Sequence, residues 1–373
     1  MTLKRFYAES FRNIDGCDIT FSPGVNLLYG NNAQGKTNVV EGIYIFARGR
    51  SFRAREDKEL LSFGKEGFRI GIEYSDAMGG GTLEYAHYGR ERRRKKNGYA
   101  LKGVKDMVGS FRAVLFIPDD LSIVKESTEI RRAFINVAIG QTDNIYIDDY
   151  SKYKVALENR NCILKNASKG RYYDEGELLS WSYMMSEYAA SIYLKRKEYI
   201  KKLEVYAQAV VKDISEGKEE LSLRYISDIE DCDGILDSES VKELYKDIFT
   251  RSLDKEKIVG TSLYGPHRDD MEIFINGVSA RSFCSQGQQR SIALALKIAE
   301  GDVCREVCGE YPVYLFDDVL SELDGKRKEY VLSKINGKQI IITSCDEEEL
   351  TERADNVIRV CGGVYTSQIE GGA

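Results

Sequence analysis

The chain has 373 residues, 42% of them hydrophobic and 31% charged, with 4 Pro and a formal net charge of −6, a composition that suits a folded globular protein of two lobes rather than one compact core. No apolar run approaches the ~18 residues of a membrane span, and the charged opening Met1–Phe6 lacks the apolar stretch of a signal peptide. Eight scattered Cys without a Cys-x-x-Cys, beside 2 His, argue against a zinc site and for the reducing cytoplasm.

Leu3–Tyr7 and Cys17–Phe21 alternate like strands across a predicted turn at Asn13–Gly16. Pro23-Gly24 then turns the chain into Val25–Tyr29, a short apolar strand. After Thr37, the residues Val39, Val40, Ile43, Tyr44 and Ala47 recur at helical spacing. Strands are predicted at Phe68–Tyr74 and Thr82–Tyr88. Asn97-Gly98, between Arg92–Lys96 and Tyr99–Lys102, is a hairpin signal. Up to this point the chain is basic. Residues 1–118 carry 20 Lys and Arg against 13 Asp and Glu, whereas the remainder carries 34 against 47. A basic lobe on an acidic chain can bind a polyanion, because phosphate contacts follow local potential.

From about Asp119 the texture changes. Residues 127–215 read as helical, with Tyr146, Tyr150, Tyr153, Leu157 and Leu164 on one face. Glu177–Ser215 reads as a single helix of roughly 58 Å. A strand at Leu221–Ile226 and a helix at Val241–Thr250 complete a mainly helical lobe, inserted at 119–259, whose many Tyr are core. Strand texture returns near Thr261. Met271–Ile275 and Val278–Phe283 flank Asn276-Gly277, a second hairpin signal. Ser291–Val303 is a predicted helix. Val313–Phe316 and Gln339–Thr343 are apolar enough for buried strands of a largely parallel sheet.

Three segments carry the chemistry. Gly30-Asn31-Asn32-Ala33-Gln34-Gly35-Lys36-Thr37 fits G-x-x-x-x-G-K-[ST] between a strand and a helix. Its backbone N–H groups can wrap phosphate, helped by the positive end of the following helix. Lys36 would reach the β- and γ-phosphate oxygens of ATP, and Thr37 would hold Mg2+. Asp317 stands at the end of an apolar strand, placed to hold the same Mg2+, and Asp318 to polarise the attacking water. Ser285-Gln286-Gly287-Gln288-Gln289-Arg290 opens a helix as a second anion cradle or as a polar N-cap. Lys36, Asp317 and Asp318 are thus the catalytic candidates. Ser285, Gly287 and Gln288 join Gly30–Thr37 as nucleotide contacts.

These motifs resemble the RecF family, bacterial recombination-mediator ATPases related to SMC heads. The resemblance rests on Ser10-Phe11-Arg12-Asn13-Ile14, Gly30–Asn38, Ser51-Phe52-Arg53, Phe116–Leu121, Gly265-Pro266-His267-Arg268-Asp269-Asp270, Ser285–Arg290 and Leu315–Asp324, in the family's order. It implies an α/β P-loop ABC/SMC-type ATPase head built from residues 1–118 and 260–373, around the helical insert. It further implies an ATP-dependent homodimer in which each second cradle caps the nucleotide of the partner. Such a dimer would clamp double-stranded DNA near gaps or single-strand/double-strand junctions and help load RecA, with RecO and RecR as partners. Slow hydrolysis would open it.

Departures from ABC-type ATPases are Asp318 in place of Glu, and Thr343-Ser344 in place of a His. Asp119-Asp120 stand near the expected glutamine loop. Arg92–Lys96 is either a DNA contact or a charged hairpin edge; Arg50, Arg53 and Arg55 are further DNA candidates. His267 is either a site residue or part of a structural turn. The rival readings are an ATPase subunit of a membrane transporter and a scaffold with a vestigial nucleotide site.

Overall fold

Among the described residues the strands form three sheets. The computed structural model of the protein describes residues 1–229, 237–334, 337–345 and 351–367; Cys232 lies outside them. The chain opens with β1 (Thr2–Phe11), β2 (Ile14–Thr20), β3 (Val25–Tyr29) and α1 (Lys36–Arg48). Next come β4 (Gly67–Ser75), β5 (Gly81–Tyr88), β6 (Glu91–Lys96), β7 (Tyr99–Ala100) and β8 (Ala113–Phe116). The helical stretch holds α2 (Thr128–Thr142), α3 (Asn144–Ala167), α4 (Glu175–Ile214), β9 (Leu221–Ile226), α5 (Ser238–Arg251) and α6 (Leu253–Val259). After it stand β10 (Asp270–Ile275), β11 (Val278–Ser279), α7 (Ala280–Phe283) and α8 (Gln286–Cys308). The last are β12 (Val313–Asp317), α9 (Gly325–Lys334), β13 (Ile340–Ser344), β14 (Asn356–Cys361) and β15 (Val364–Ser367).

The sheet that matters for the site runs β15-β14-β3-β13-β12-β8. Only its β14–β15 edge is antiparallel; β3, β8, β12, β13 and β14 pair in parallel. β3 from the start of the chain therefore lies between β13 and β14 from its end. The parallel strands are buried on both faces, which is why they read as unbroken apolar runs. Leu28, Leu115, Leu315 and Ile341 point into one core with α1 and the antiparallel sheet β2-β1-β4-β5-β6-β7. Leu27, Phe116, Phe316, Ile340 and Ile342 point into the other, with residues of α2, α4 and α8. α1 is thus held between two sheets. The sheet β11-β10-β9 joins residues from both sides of position 259. Among the described residues no helix is long and apolar enough to cross a membrane.

β3, β9 and the hairpin at Asn97-Gly98 stand where the sequence put them, the last with Asn97 and Gly98 both at positive φ. The long helix is α4, capped by the Asp174 carboxylate, which accepts from the Glu177 N–H at 3.1 Å. Three expectations need correction. The first turn is the two residues Arg12-Asn13, since Phe11 pairs with Ile14 and Glu9 with Gly16. Arg12 takes φ 55°, and its guanidinium is anchored on Glu41, which fixes the tip. No strand begins near Thr261. There the Gly265 N–H is spent on the Asp228 carboxylate and the Arg268 N–H on the Gly265 carbonyl, so the segment turns instead of pairing. The second arm of the Asn276-Gly277 hairpin stops at Ser279. Ala280 is buried and its carbonyl takes the Cys284 N–H, curling 280–283 into a helical turn.

Candidate nucleotide site

The loop from Gly30 to Gly35 hangs between the end of β3 and the start of α1. A Cβ on Gly30 would fall 2.2 Å from the Val360 carbonyl oxygen, and one on Gly35 2.6 Å from the Tyr365 hydroxyl. Both glycines are needed for close approach to the β14–β15 hairpin, and Gly35 also sits at φ 111°. Ala33, at φ 64°, holds a strained conformation at the loop tip. Asn13 Nδ2 donates to the Ala33 carbonyl at 3.0 Å, and the Gln34 amide oxygen accepts from the Gly362 N–H at 2.6 Å. Elements distant in sequence thus hold the loop open.

Lys36 is 4% exposed. Its ammonium donates to the carbonyls of Gly30 at 2.6 Å and Asn31 at 3.1 Å and lies 3.3 Å from Cys345 Sγ. All three partners are uncharged. Thr37 Oγ1 donates to Asp317 Oδ1 at 3.0 Å, and Thr343 Oγ1 donates to the same oxygen at 2.8 Å. Burial pushes the Asp317 carboxyl above the usual range, opposed by those two hydroxyls and reinforced by Asp318. Asp318 follows at φ 52°, a costly conformation for a non-glycine residue, with its N–H given to Thr343 Oγ1 at 2.9 Å. A cavity of about 510 Å3 is lined by Asn13, residues 32–38, Arg53 and Asp318.

Arg53, expected as a DNA contact, lines this cavity and bonds Asn38 Oδ1 at 2.8 Å. Sequence reasoning also missed Glu41, a buried carboxylate on α1. It takes two bonds from Arg12 at 2.9 and 2.7 Å, one from Ser51 Oγ, and an ion pair with Arg53 at 3.3 Å. Two of the three Ser-Phe-Arg segments of the sequence, Ser10–Arg12 and Ser51–Arg53, converge on this one residue. The third, Ser110–Arg112, pairs with Glu310 instead, so the repeat by itself does not single out Glu41.

The second cradle lies outside the cavity. Ser285 caps α8 by accepting the Gln288 N–H at 3.3 Å, while the Gln288 side chain takes the Ser285 N–H at 2.9 Å, a capping box. Gly287 lies against Arg327, whose guanidinium donates to its carbonyl at 2.8 Å and to Ser291 Oγ at 2.9 Å. Gly30–Thr37, Asp317 and Asp318 are brought together; Ser285, Gly287 and Gln288 are not brought to them.

His267 is also remote from the cavity. Its Nδ1 is 2.7 Å from the Tyr153 hydroxyl, and burial pushes its pKa down to about 4. Around it Arg196 donates to the Pro266 carbonyl at 2.6 Å and to Asp269 Oδ2 at 3.0 Å, while Arg131 grips Asp270 through two 2.8 Å bonds. The Gly265–Asp270 stretch is therefore an ion-paired node of the helical layer. Along β6, Arg92 pairs with Asp57 and Arg93 with Glu91, while Arg94 stacks 4.6 Å over the Tyr85 ring.

The family model described as the RecF/RecN/SMC N terminal domain matches residues 2–366. The DNA replication and repair protein RecF of Ligilactobacillus salivarius is 36% identical over 375 residues, covering 99% of this chain and 98% of the relative. The chain belongs to the RecF family. A solved structure of the recombination mediator protein RecF in its ATP complex, described within the RecFOR pathway, superposes with a TM-score of 0.91 at 34% identity, covering 98% of this chain and 97% of the other. An Smc head domain from Pyrococcus furiosus shares the fold, with a TM-score of 0.57 at 16% identity, covering 98% and 95%. The fold is thus that of an ABC/SMC-type ATPase head. Membership of a DNA replication and repair family sets the transporter reading aside.

Proposed function

We propose that the chain binds and slowly hydrolyses ATP, and that ATP joins two copies of it into a clamp on double-stranded DNA near gaps or single-strand/double-strand junctions. Hydrolysis opens the clamp. RecO and RecR are the implied partners, help in loading RecA the outcome, and the cytoplasm the place. In this reading residues 1–118 and 260–373 form the ATPase lobe and 119–259 the helical insert.

The observation that carries the reading is a division. Lys36, Thr37, Asp317 and Asp318 gather at one cavity, while Ser285, Gly287 and Gln288 stand outside it at the start of α8. A cradle that does not serve its own chain's nucleotide is available to a partner's. Within the cavity, the backbone of Gly30, Asn31, Asn32, Ala33, Gln34 and Gly35 wraps phosphate, Lys36 takes β- and γ-phosphate oxygens, and Asp318 orients the attacking water. Mg2+ fits the Thr37–Asp317 corner, because Asp317 is a buried carboxylate whose hydrogen-bond partners are two hydroxyls. Among the described residues no group of three or more His, Cys, Asp or Glu could hold a metal unaided, so phosphate oxygens and water complete the shell. When bound, the ion neutralises developing phosphate charge.

Sedimentation with and without ATP and gapped DNA tests this. Wild type should shift from monomer to dimer with ATP. Ser285→Arg should bind ATP and stay monomeric. An unchanged wild-type profile, or loss of ATP binding in Ser285→Arg, contradicts the reading.

A further inference from the structure

A larger cleft, about 890 Å3, opens between α1, β8, the 3-10 turn at Pro118–Val124, α2 and the start of α8. Three charges from two elements line it, two of them buried and the third, Asp120, half-buried. Lys297 of α8 holds Nζ 3.2 Å from Asp120 Oδ1 and 3.7 Å from Glu300 Oε2, one helical turn further on. The same ammonium stands 5.1 Å from the centre of the Phe134 ring on α2. The other oxygen of Asp120 takes the Ile117 N–H at 2.9 Å. Glu300 is 4% exposed, and its Oε2 receives no hydrogen bond.

Two carboxylates around one ammonium are an expensive way to fill a wall that Leu and Met could fill. The arrangement gains meaning from what it joins. Asp120 belongs to the turn that follows β8, on the α1 side of the cleft. Lys297 is eleven residues along α8 from Gln286, roughly 16 Å of rigid helix. At the far end of that rod stands the second cradle, and Gln286, Gln289 and Arg290 line the same cleft. A shift at Lys297 therefore moves the cradle as a body.

We propose that Asp120, Lys297 and Glu300 form a positioning tie that holds the Ser285–Arg290 cradle in register with the 118–124 turn. The cradle's role rests on the function proposed above; the tie itself does not. Burial pushes the Glu300 carboxyl up to about 7, with Lys297 opposing and Asp120 reinforcing the shift. The groups facing Glu300 are Lys297 and Cys304 from its own helix, Asp120 from the turn, Tyr44 from α1, Tyr199 from α4 and Tyr314 from β12. Below that pH Glu300 is neutral and Lys297 belongs to Asp120 alone. Above it two carboxylates compete for one ammonium, and the tie loosens.

Hydrogen exchange of residues 118–124 and 286–290 in the nucleotide-free chain, at about pH 6 and about pH 8 and corrected for intrinsic rates, is the test. In wild type both segments should exchange about 3- to 30-fold faster at the higher pH. Glu300→Gln should abolish that step. Asp120→Asn, whose amide oxygen can still accept the Ile117 N–H, should free both segments together at either pH. ATP-driven dimerisation should weaken in the same order. A wild-type step that survives Glu300→Gln, or an Asp120→Asn chain that frees 118–124 but leaves 286–290 protected, overturns the tie. If exchange behaves as stated but wild type never dimerises with ATP, the dimer reading falls and the tie stands.

Discussion

Lys36 and Asp317 at the nucleotide cavity and Arg131, Arg196 and Asp269 at the Gly265–Asp270 node are alike in being buried, yet they are partnered in opposite ways. In the node each buried charge meets a counter-charge: Arg196 with Asp269, Arg131 with Asp270. In the cavity Lys36 meets carbonyls and a thiol, and Asp317 meets hydroxyls. A saturated charge holds a fold together. A charge with neutral partners beside a cavity keeps its strongest interaction in reserve for a ligand.

That contrast can be broken by removing one residue from each region. Lys36→Ala should lower ATP hydrolysis by about 10²–10³-fold while leaving denaturant stability nearly unchanged. Comparable loss of stability would mean that Lys36 is structural as well. Arg196→Met leaves Asp269 buried without its cation and should cost about 3–5 kcal/mol in urea unfolding. ATP affinity of the folded fraction should not move; if it does, the node and the cavity are coupled.

The pH dependence sharpens the comparison at smaller scale. His267 is held at about 4 against an ordinary 6.5, so the folded chain binds fewer protons in that interval. Its contribution is full above about pH 6.5 and is lost, by up to about 3 kcal/mol, as pH falls toward about 4. Glu300 acts with the opposite sign: its raised pKa contributes stability at low pH that is lost as pH rises through about 7. Unfolding of His267→Gln across this range should show a flattened acid slope. An unaltered slope would mean that the buried imidazole does not govern it. Smallest of all, Arg92→Ala removes a surface pair and should change stability by less than about 1 kcal/mol.

The sequence carried the nucleotide loop, its strand and helix, and Asp317 because each obeys a local rule of spacing. It carried the buried parallel strands because double-sided burial removes alternation from the pattern. What stayed hidden was the meeting of distant side chains. Nothing in the spacing of Arg12, Glu41, Ser51 and Arg53 reveals that they share one point, nor that Lys297 reaches Asp120. The Val278–Phe283 strand failed because a short apolar run after a good turn does not distinguish pairing from a helical turn. His267 was legible as a motif and illegible as a role, since ion pairing inside a fold and ligand binding use the same residue types.

The central claim is that the two cradles of one chain serve different nucleotides. Mixing Lys36→Ala with Ser285→Arg tests it most directly. Each variant alone should hydrolyse ATP at background rate. A mixed dimer contains one intact site, formed by the P-loop of the Ser285→Arg chain and the cradle of the Lys36→Ala chain. The account predicts that mixing restores ATP-dependent dimers and a substantial part of the activity. Two inactive variants that stay inactive when mixed, both folded and with Ser285→Arg no longer binding ATP, would contradict it.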